Sequence, residues 1–297
     1  MESFKRGWAF LKQSWQMAMA DKDLLKPSVY ALVAGIIVSV ICMVPIAGVG
    51  FLMGETKVGQ GVLYVMGAIM IFVQYVVTYV FSAMTVYLIY GYLSEGDGKM
   101  DKAWAIVKRD FLDILSLAAA STVVNLVKNA VQGKNKSGAR NAIAGLIDTV
   151  WTEATYLVLP AMVIEDINLK DGLKRATQII KNNLLLVGVS TVGIKAVTGL
   201  ISFLLGATGI GLGIGVGLGI VSLSSGNIAG IVGGFSLGFL IAMPFIIIAT
   251  LISSYTATAY HTCLYLWARD VERARAGGQA AVEGVQAPAP LASVLGQ

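Results

Sequence analysis

Residues 209–220 read GIGLGIGVGLGI, with glycine at every second position and only Ile, Leu or Val between. Whether this stretch is strand or helix decides what the rest of the chain can be. A period of two is the strand period. In hydrocarbon, however, a strand must belong to a closed barrel, because lipid offers no partner to its edge N–H and C=O groups. One such segment per chain can close a barrel only by joining copies of itself. Read as a helix, the alternation yields two rows. Gly209, Gly213 and Gly217 form one, and Gly211, Gly215 and Gly219 form another on roughly the opposite face, since two residues advance ~200°. Downstream, Ser222, Gly226, Gly230, Gly234, Gly238 and Ala242 continue a small-xxx-small row, which lets helix backbones approach closely in membranes. This row lacks the period of two and favours the helical reading.

The surrounding composition agrees with lipid as the solvent. A mean hydropathy of +0.75 with only 13% charged residues excludes an ordinary soluble globule. Apolar runs extend from Ser28 to Met53, Gly61 to Leu93, Phe111 to Val131, Asn141 to Val163, Leu184 to Leu205 and Ile228 to Trp267. Each exceeds the ~20 helical residues that a hydrocarbon core requires. The first run has no small-residue cleavage site and is expected to remain as an anchor. The expected class is therefore all-α: about six transmembrane helices between an interfacial segment, residues 1–27, and a disordered tail, residues 271–297. The membrane domain is residues 28–270, with a Gly-rich segment at 206–227.

A short repeat organises these spans. MADKDLL (19–25), IVKRDFL (106–112) and IIKNNLL (179–185) each place three polar residues between apolar pairs directly before an apolar run. An amphipathic segment precedes each one: Phe4, Trp8, Leu11 and Trp15 share a helical face, as do Trp104, Val107 and Phe111, and Leu169, Leu173, Ala176 and Ile180. Three units follow, each an interfacial helix plus a transmembrane hairpin. Most of the 22 Lys and Arg residues then fall on one side with both termini, and the positive-inside rule makes that side cytoplasmic. Lys134, Lys136 and Arg140, with nearby Lys128, oppose this, unless the third and fourth runs form a hairpin that stops short of crossing. To keep the parity, the Gly-rich segment is expected to re-enter the membrane and return at Ser224 to Asn227, or to lie on the outer face. Its glycines pack either between subunits of a homo-oligomer or within one chain.

Charges inside the runs are few. Glu153 and Lys195 sit near the middle of the fourth and fifth runs, where an isolated charge costs ~2.5 to 3.5 kcal/mol to insert. They are expected to face protein or water. With Asp148 they either line a hydrated ion or proton path or form a structural ion pair. His261, the single histidine, reads as a titrating switch or as an interfacial hydrogen-bonding partner. Lys5, Arg6, Trp8, Trp15, Lys174 and Arg175 are the expected lipid-interface residues. No P-loop, HExxH, GxSxG or ligand cluster occurs, Cys42 and Cys263 have no metal-ligand spacing, and no cofactor or metal is expected. Glu165 and Asp166 mark the end of the fourth run.

The stretches GWAFLKQSWQMAMADKDLLKP (7–27), WTEATYLVLPAMVIED (151–166) with the following LKDGLKRATQIIKNN, and YHTCLYLWARD (260–270) resemble an uncharacterised family of bacterial and archaeal multi-span membrane proteins. Those proteins carry a similar pattern of Trp151, Thr155, Pro160 and Glu165. They are loosely similar to the membrane domain attached to some glycerophosphodiester phosphodiesterases. The resemblance implies a six-span fold and no particular activity. The glycine alternation and Lys195 depart from its pattern.

These readings point to a multi-pass cell-membrane protein without enzymatic activity, with cytoplasmic termini and no nucleic-acid partner. It is expected to form a homo-oligomer that is channel-like. The alternatives are a scaffold or accessory subunit that holds anionic lipid and an unidentified membrane protein, and a membrane-embedded lipid-processing enzyme.

Overall fold

The computed structural model describes the chain apart from residues 1, 134–137, 183, 225–226, 277, 279–283 and 296–297. Gly226, Lys134 and Lys136 therefore lie outside the described residues. All regular structure among the described residues is helical: α1 (Glu2–Ala20), α2 (Lys26–Met53), α3 (Lys57–Glu95), α4 (Met100–Arg109), α5 (Phe111–Gln132), α6 (Gly138–Glu165), α7 (Leu169–Asn182), α8 (Leu184–Leu223), α9 (Ile228–Ala276) and α10 (Ala289–Leu295). Six of them, α2, α3, α5, α6, α8 and α9, are long and apolar enough to cross a membrane.

Two expectations need correction. The glycine stretch is not a separate re-entrant or outer segment; it is the distal half of α8, a single 40-residue helix that turns only after Leu223. No proline interrupts the sequence between Leu205 and Ser222, and in lipid a helix satisfies its own backbone. The tail is not wholly without structure either. Helix α9 continues to Ala276, and α10 buries Leu291 and Val294, which lie three residues apart on one helical face. Pro290 falls in the first turn of α10, where a missing N–H costs nothing.

The chain forms two compact units. The first comprises Met1–Gln16, Leu185–Tyr260 and Ala289–Gln297. There α1 crosses α8 backbone to backbone: a Cβ added to Gly7 would lie 2.5 Å from the carbonyl oxygen of Gly193. Phe10 sets its ring edge-on to Tyr260, with centroids 5.5 Å apart. The Tyr255 hydroxyl donates to the Ser14 carbonyl at 3.2 Å. The buried stripe of α1 is thus Gly7, Phe10, Leu11 and Ser14 at helical spacing. Phe4 and Trp8 are exposed.

The second unit comprises Met17–Leu184 and His261–Pro288. Helix α3 is its spine, packed against α2, α5 and α6. The Gln74 amide reaches across to α2, donating to the Gly35 carbonyl at 3.0 Å and the Ser39 hydroxyl at 2.8 Å. Met84, Leu88 and Ile89 of α3, Ile114 and Leu117 of α5, and Leu157 and Met162 of α6 are fully buried. Asp21 ties the entry to α2 to the α3–α4 loop, accepting from the backbone N–H of Asp23 at 2.9 Å and of Gly98 at 2.8 Å.

Candidate functional site

The second unit is charged at both ends of α6 and nearly uncharged between. At one end α7 presses its apolar stripe, Gly172, Ala176 and Ile179, onto α6. This turns Arg175 inward, where its guanidinium binds Glu165 at 3.3 Å and also Glu272 of α9. Burial works against the Arg175 charge, and Glu272, the Tyr265 hydroxyl and Glu165 together outweigh it, so its pKa stands above the ordinary arginine value. Nearby Arg109 holds Asp110 at 2.6 Å and Asp166 at 3.1 Å. At the other end Lys128 of α5 binds Asp148 of α6 at 2.7 Å. From Asp148 to Glu165 the helix rises about 26 Å at ~1.5 Å per residue, close to the ~30 Å of a hydrocarbon core.

Between these ends Glu153 meets His261. Glu153 Oε2 lies 3.1 Å from His261 Nε2, and the imidazole is 3% exposed. One turn along α6 the Tyr156 ring stacks on the imidazole at 4.3 Å and 8°. The pair stands about 8 Å inward of Asp148 and about 18 Å from Glu165, by the same rise. An acid and a base in direct contact can share or pass on a proton.

Polar side chains line the way from the pair towards Asp148. The Ser121 hydroxyl bonds the Tyr79 hydroxyl at 2.7 Å and accepts from the Trp151 indole N–H at 2.9 Å. One turn further along α5, Asn125 donates to the Tyr75 hydroxyl at 3.4 Å, and Asn129 donates to the Asn125 side-chain oxygen at 3.0 Å. Ser121, Asn125 and Asn129 recur every four residues, hence on one helical face. Exposure grows along them from buried to exposed.

In the first unit the glycine rows have different fates. Gly209, Gly213 and Gly217 face α9: a Cβ on Gly213 would lie 2.4 Å from the Gly238 carbonyl oxygen, and one on Gly234 2.6 Å from that of Gly217. Gly230 is filled by the hairpin turn, its N–H bound to the Asn227 side-chain oxygen at 2.7 Å. The row Gly230, Gly234 and Gly238, a candidate for packing between subunits, is thus spent within the chain. Gly211, Gly215 and Gly219 have nothing within 4 Å of an added Cβ. Ile214, Leu218, Phe235 and Phe239 wall an apolar groove of about 230 Å³ beside the closed seam.

Of the expected charges, Asp148 and Glu153 lie on one helix with the partners just given, whereas Lys195 is exposed on α8 in the first unit. Lys5, Arg6 and Trp8 are exposed on α1, and Trp15 is half-buried with its ring edge towards Tyr255. Lys174 is exposed beside Asp171 at 3.1 Å. Arg175 is corrected from lipid contact to the interior clamp, because it falls on the packed edge of α7. Sequence reasoning missed that clamp and the Glu153–His261 contact. One signal existed: Glu153 precedes Glu165, and His261 precedes Glu272, by nearly the same number of residues.

Among the described residues no group of three or more His, Cys, Asp or Glu side chains could hold a metal. No curated protein matches the chain. Residues 62–277 match a family described as of unknown function, DUF6159. That match spans most of the chain and takes in both helices of the Glu153–His261 pair, and the chain belongs to this uncharacterised family.

Proposed function

We propose that this is an integral, multi-pass protein of the cell membrane that assembles as a homo-oligomer and acts as a channel-like permeation protein, without enzymatic chemistry. The observation that carries the reading is the contact of Glu153 with His261 inside a helix bundle, between two charged ends spaced like the faces of a membrane. Ionisable side chains at such depth are costly and mark ion or proton pathways. The open row Gly211, Gly215 and Gly219 supports assembly, since the matching row on the same helix brings α9 into backbone contact. Both termini belong on the cytoplasmic side by the positive-inside rule, and three successive units of amphipathic helix plus hairpin underlie the architecture.

A scaffold that binds anionic lipid and a protein partner is the second reading. It is favoured by Lys5, Lys170, Lys174 and Lys181, exposed on α1 and α7. A lipid-processing enzyme, suggested by the distant likeness to the phosphodiesterase membrane domain, has the least support. Its obvious carboxylates, Glu165 and Asp166, are held by Arg175 and Arg109.

The test is ion flux through proteoliposomes beside Glu153→Gln, with the assembly mass measured on the same sample. The wild type is expected to pass ions, and Glu153→Gln to lower the flux at least tenfold at unchanged mass. An intact oligomer without flux would move the assignment to the scaffold.

A further inference from the structure

We propose that the permeant is the proton, and that it crosses within the second unit of a single subunit, along a line through Asp148, Glu153, His261, Tyr265 and Glu165. The inference rests on the permeation reading above and names its substrate and route.

The width of the route decides the substrate. Glu153 and His261 touch at 3.1 Å, and the Tyr156 ring closes the imidazole face at 4.3 Å. Ser121, Tyr79 and Trp151 are in direct hydrogen-bond contact. Leu157, Val158 and Met162, which follow on α6, are fully buried. A hydrated cation finds no clear passage among side chains packed this closely, but a proton needs only successive donors and acceptors. On α5, Asn129, Asn125 and Ser121 stand about one helical turn apart, ~5.4 Å. One water with two hydrogen bonds of ~2.8 Å spans such a gap.

Tyr265 supplies the missing step on the other side. It lies four residues after His261, on the same face of α9. It is fully buried. Its hydroxyl faces Glu165 and Arg175, both of which act on it as hydrogen-bonding partners. Here it is a polar stepping stone through the layer of Leu157, Val158, Met162 and Leu264 between the pair and the Arg175 clamp.

The transfers balance without a further reactant. The Glu153 carboxylate accepts a proton arriving along the seam and passes it to His261, forming imidazolium. The imidazolium returns to neutral by releasing a proton towards Tyr265. The phenol oxygen accepts it and gives its own hydrogen to the Glu165 carboxylate, which releases it to water at the clamp end. Among the described residues, the charged and ionisable groups that face the line include Lys128 at Asp148, Tyr156 against His261, and Arg175 with Glu272 at Glu165.

Proteoliposomes loaded with a pH-sensitive dye and held at zero membrane potential by valinomycin and potassium will report the flux after an external acid pulse. The wild type should dissipate the gradient. Tyr265→Phe, which keeps the ring and removes only the hydroxyl, should slow this at least tenfold, as should His261→Gln. Asn125→Leu, in the seam, should slow it severalfold and serves where Tyr265→Phe fails to fold. Phe51→Leu, at an exposed position of α2 in the same unit, should leave the flux unchanged. Sodium or potassium flux that depends on Glu153 without proton flux would overturn the proton assignment and leave the permeation reading standing. Proton flux indifferent to both Tyr265→Phe and Asn125→Leu would overturn the route. Absence of any flux would overturn both readings.

Discussion

Gly213→Leu is expected to yield almost no folded protein, whereas Gly215→Leu, two residues away on the same helix, melts like the wild type. A side chain at position 213 has nowhere to go. Its first carbon would stand 2.4 Å from the carbonyl oxygen of Gly238 and 3.3 Å from the Ala242 Cβ. The main obstacle is backbone, which cannot rotate away as a long side chain could. Overpacking a tight core costs ~1 to 3 kcal/mol, and separating two helix backbones by the width of a leucine will exceed the upper figure. At position 215 nothing lies within 4 Å, so the hairpin is undisturbed. If that open row joins subunits, Gly215→Leu will lower the assembly mass. Melting in detergent, followed by tryptophan fluorescence, and the mass of the purified particle separate the two rows. A Gly213→Leu protein that melts within a degree or two of the wild type would show that the helices do not meet at these glycines.

The second large effect is at Arg175. Replacing it by alanine leaves Glu165 and Glu272 facing each other, about one quarter exposed or less, with no cation between them. Breaking an interior ion pair from one side costs ~3 to 5 kcal/mol, and partial access of water places this case near ~3 kcal/mol. Arg175→Lys should recover only part of the loss, because an ammonium cannot fork between two carboxylates as the guanidinium does. Adding Glu272→Gln to Arg175→Ala should restore some stability, since it removes the repulsion between the two carboxylates that the first change leaves uncompensated. Melting temperatures of the three variants give the answer. If Arg175→Ala and wild type melt together, the clamp is ornamental.

The helical class and the six long apolar helices were readable because lipid leaves few choices: a run of twenty apolar residues with no charge has one low-energy backbone. Where the reading failed, a length rule had overruled local chemistry. Ending the fifth span at Leu205 followed the thickness of a bilayer, yet the helix runs through Gly206, Ala207 and Thr208 and ends only at Leu223. The short helix at Ala289–Leu295 went unseen because its composition is that of a linker, and its buried side chains, Pro290, Leu291 and Val294, need a surface that no local pattern discloses. Glu153 was legible as an interior charge but its partner was not. Which face of α9 turns towards α6 depends on the rotation of a 49-residue helix, a tertiary property. Arg175 was misread for the same reason: on an amphipathic helix, one step of rotation separates a residue that touches lipid from one that anchors the bundle.

The crossing of α1 over α8 at Gly7 and Gly193 has a consequence for the order of events during synthesis. The first helix leaves the ribosome long before its partners, since Gly193, Tyr255 and Tyr260 lie far downstream of Gly7, Ser14 and Phe10 in the sequence. Until the final hairpin inserts, Phe10 and Leu11 have no protein to cover them, and the membrane surface is the obvious place for them to wait. A chain truncated before residue 193 should therefore keep its amino-terminal helix open to protease, and release of the complete chain should close it.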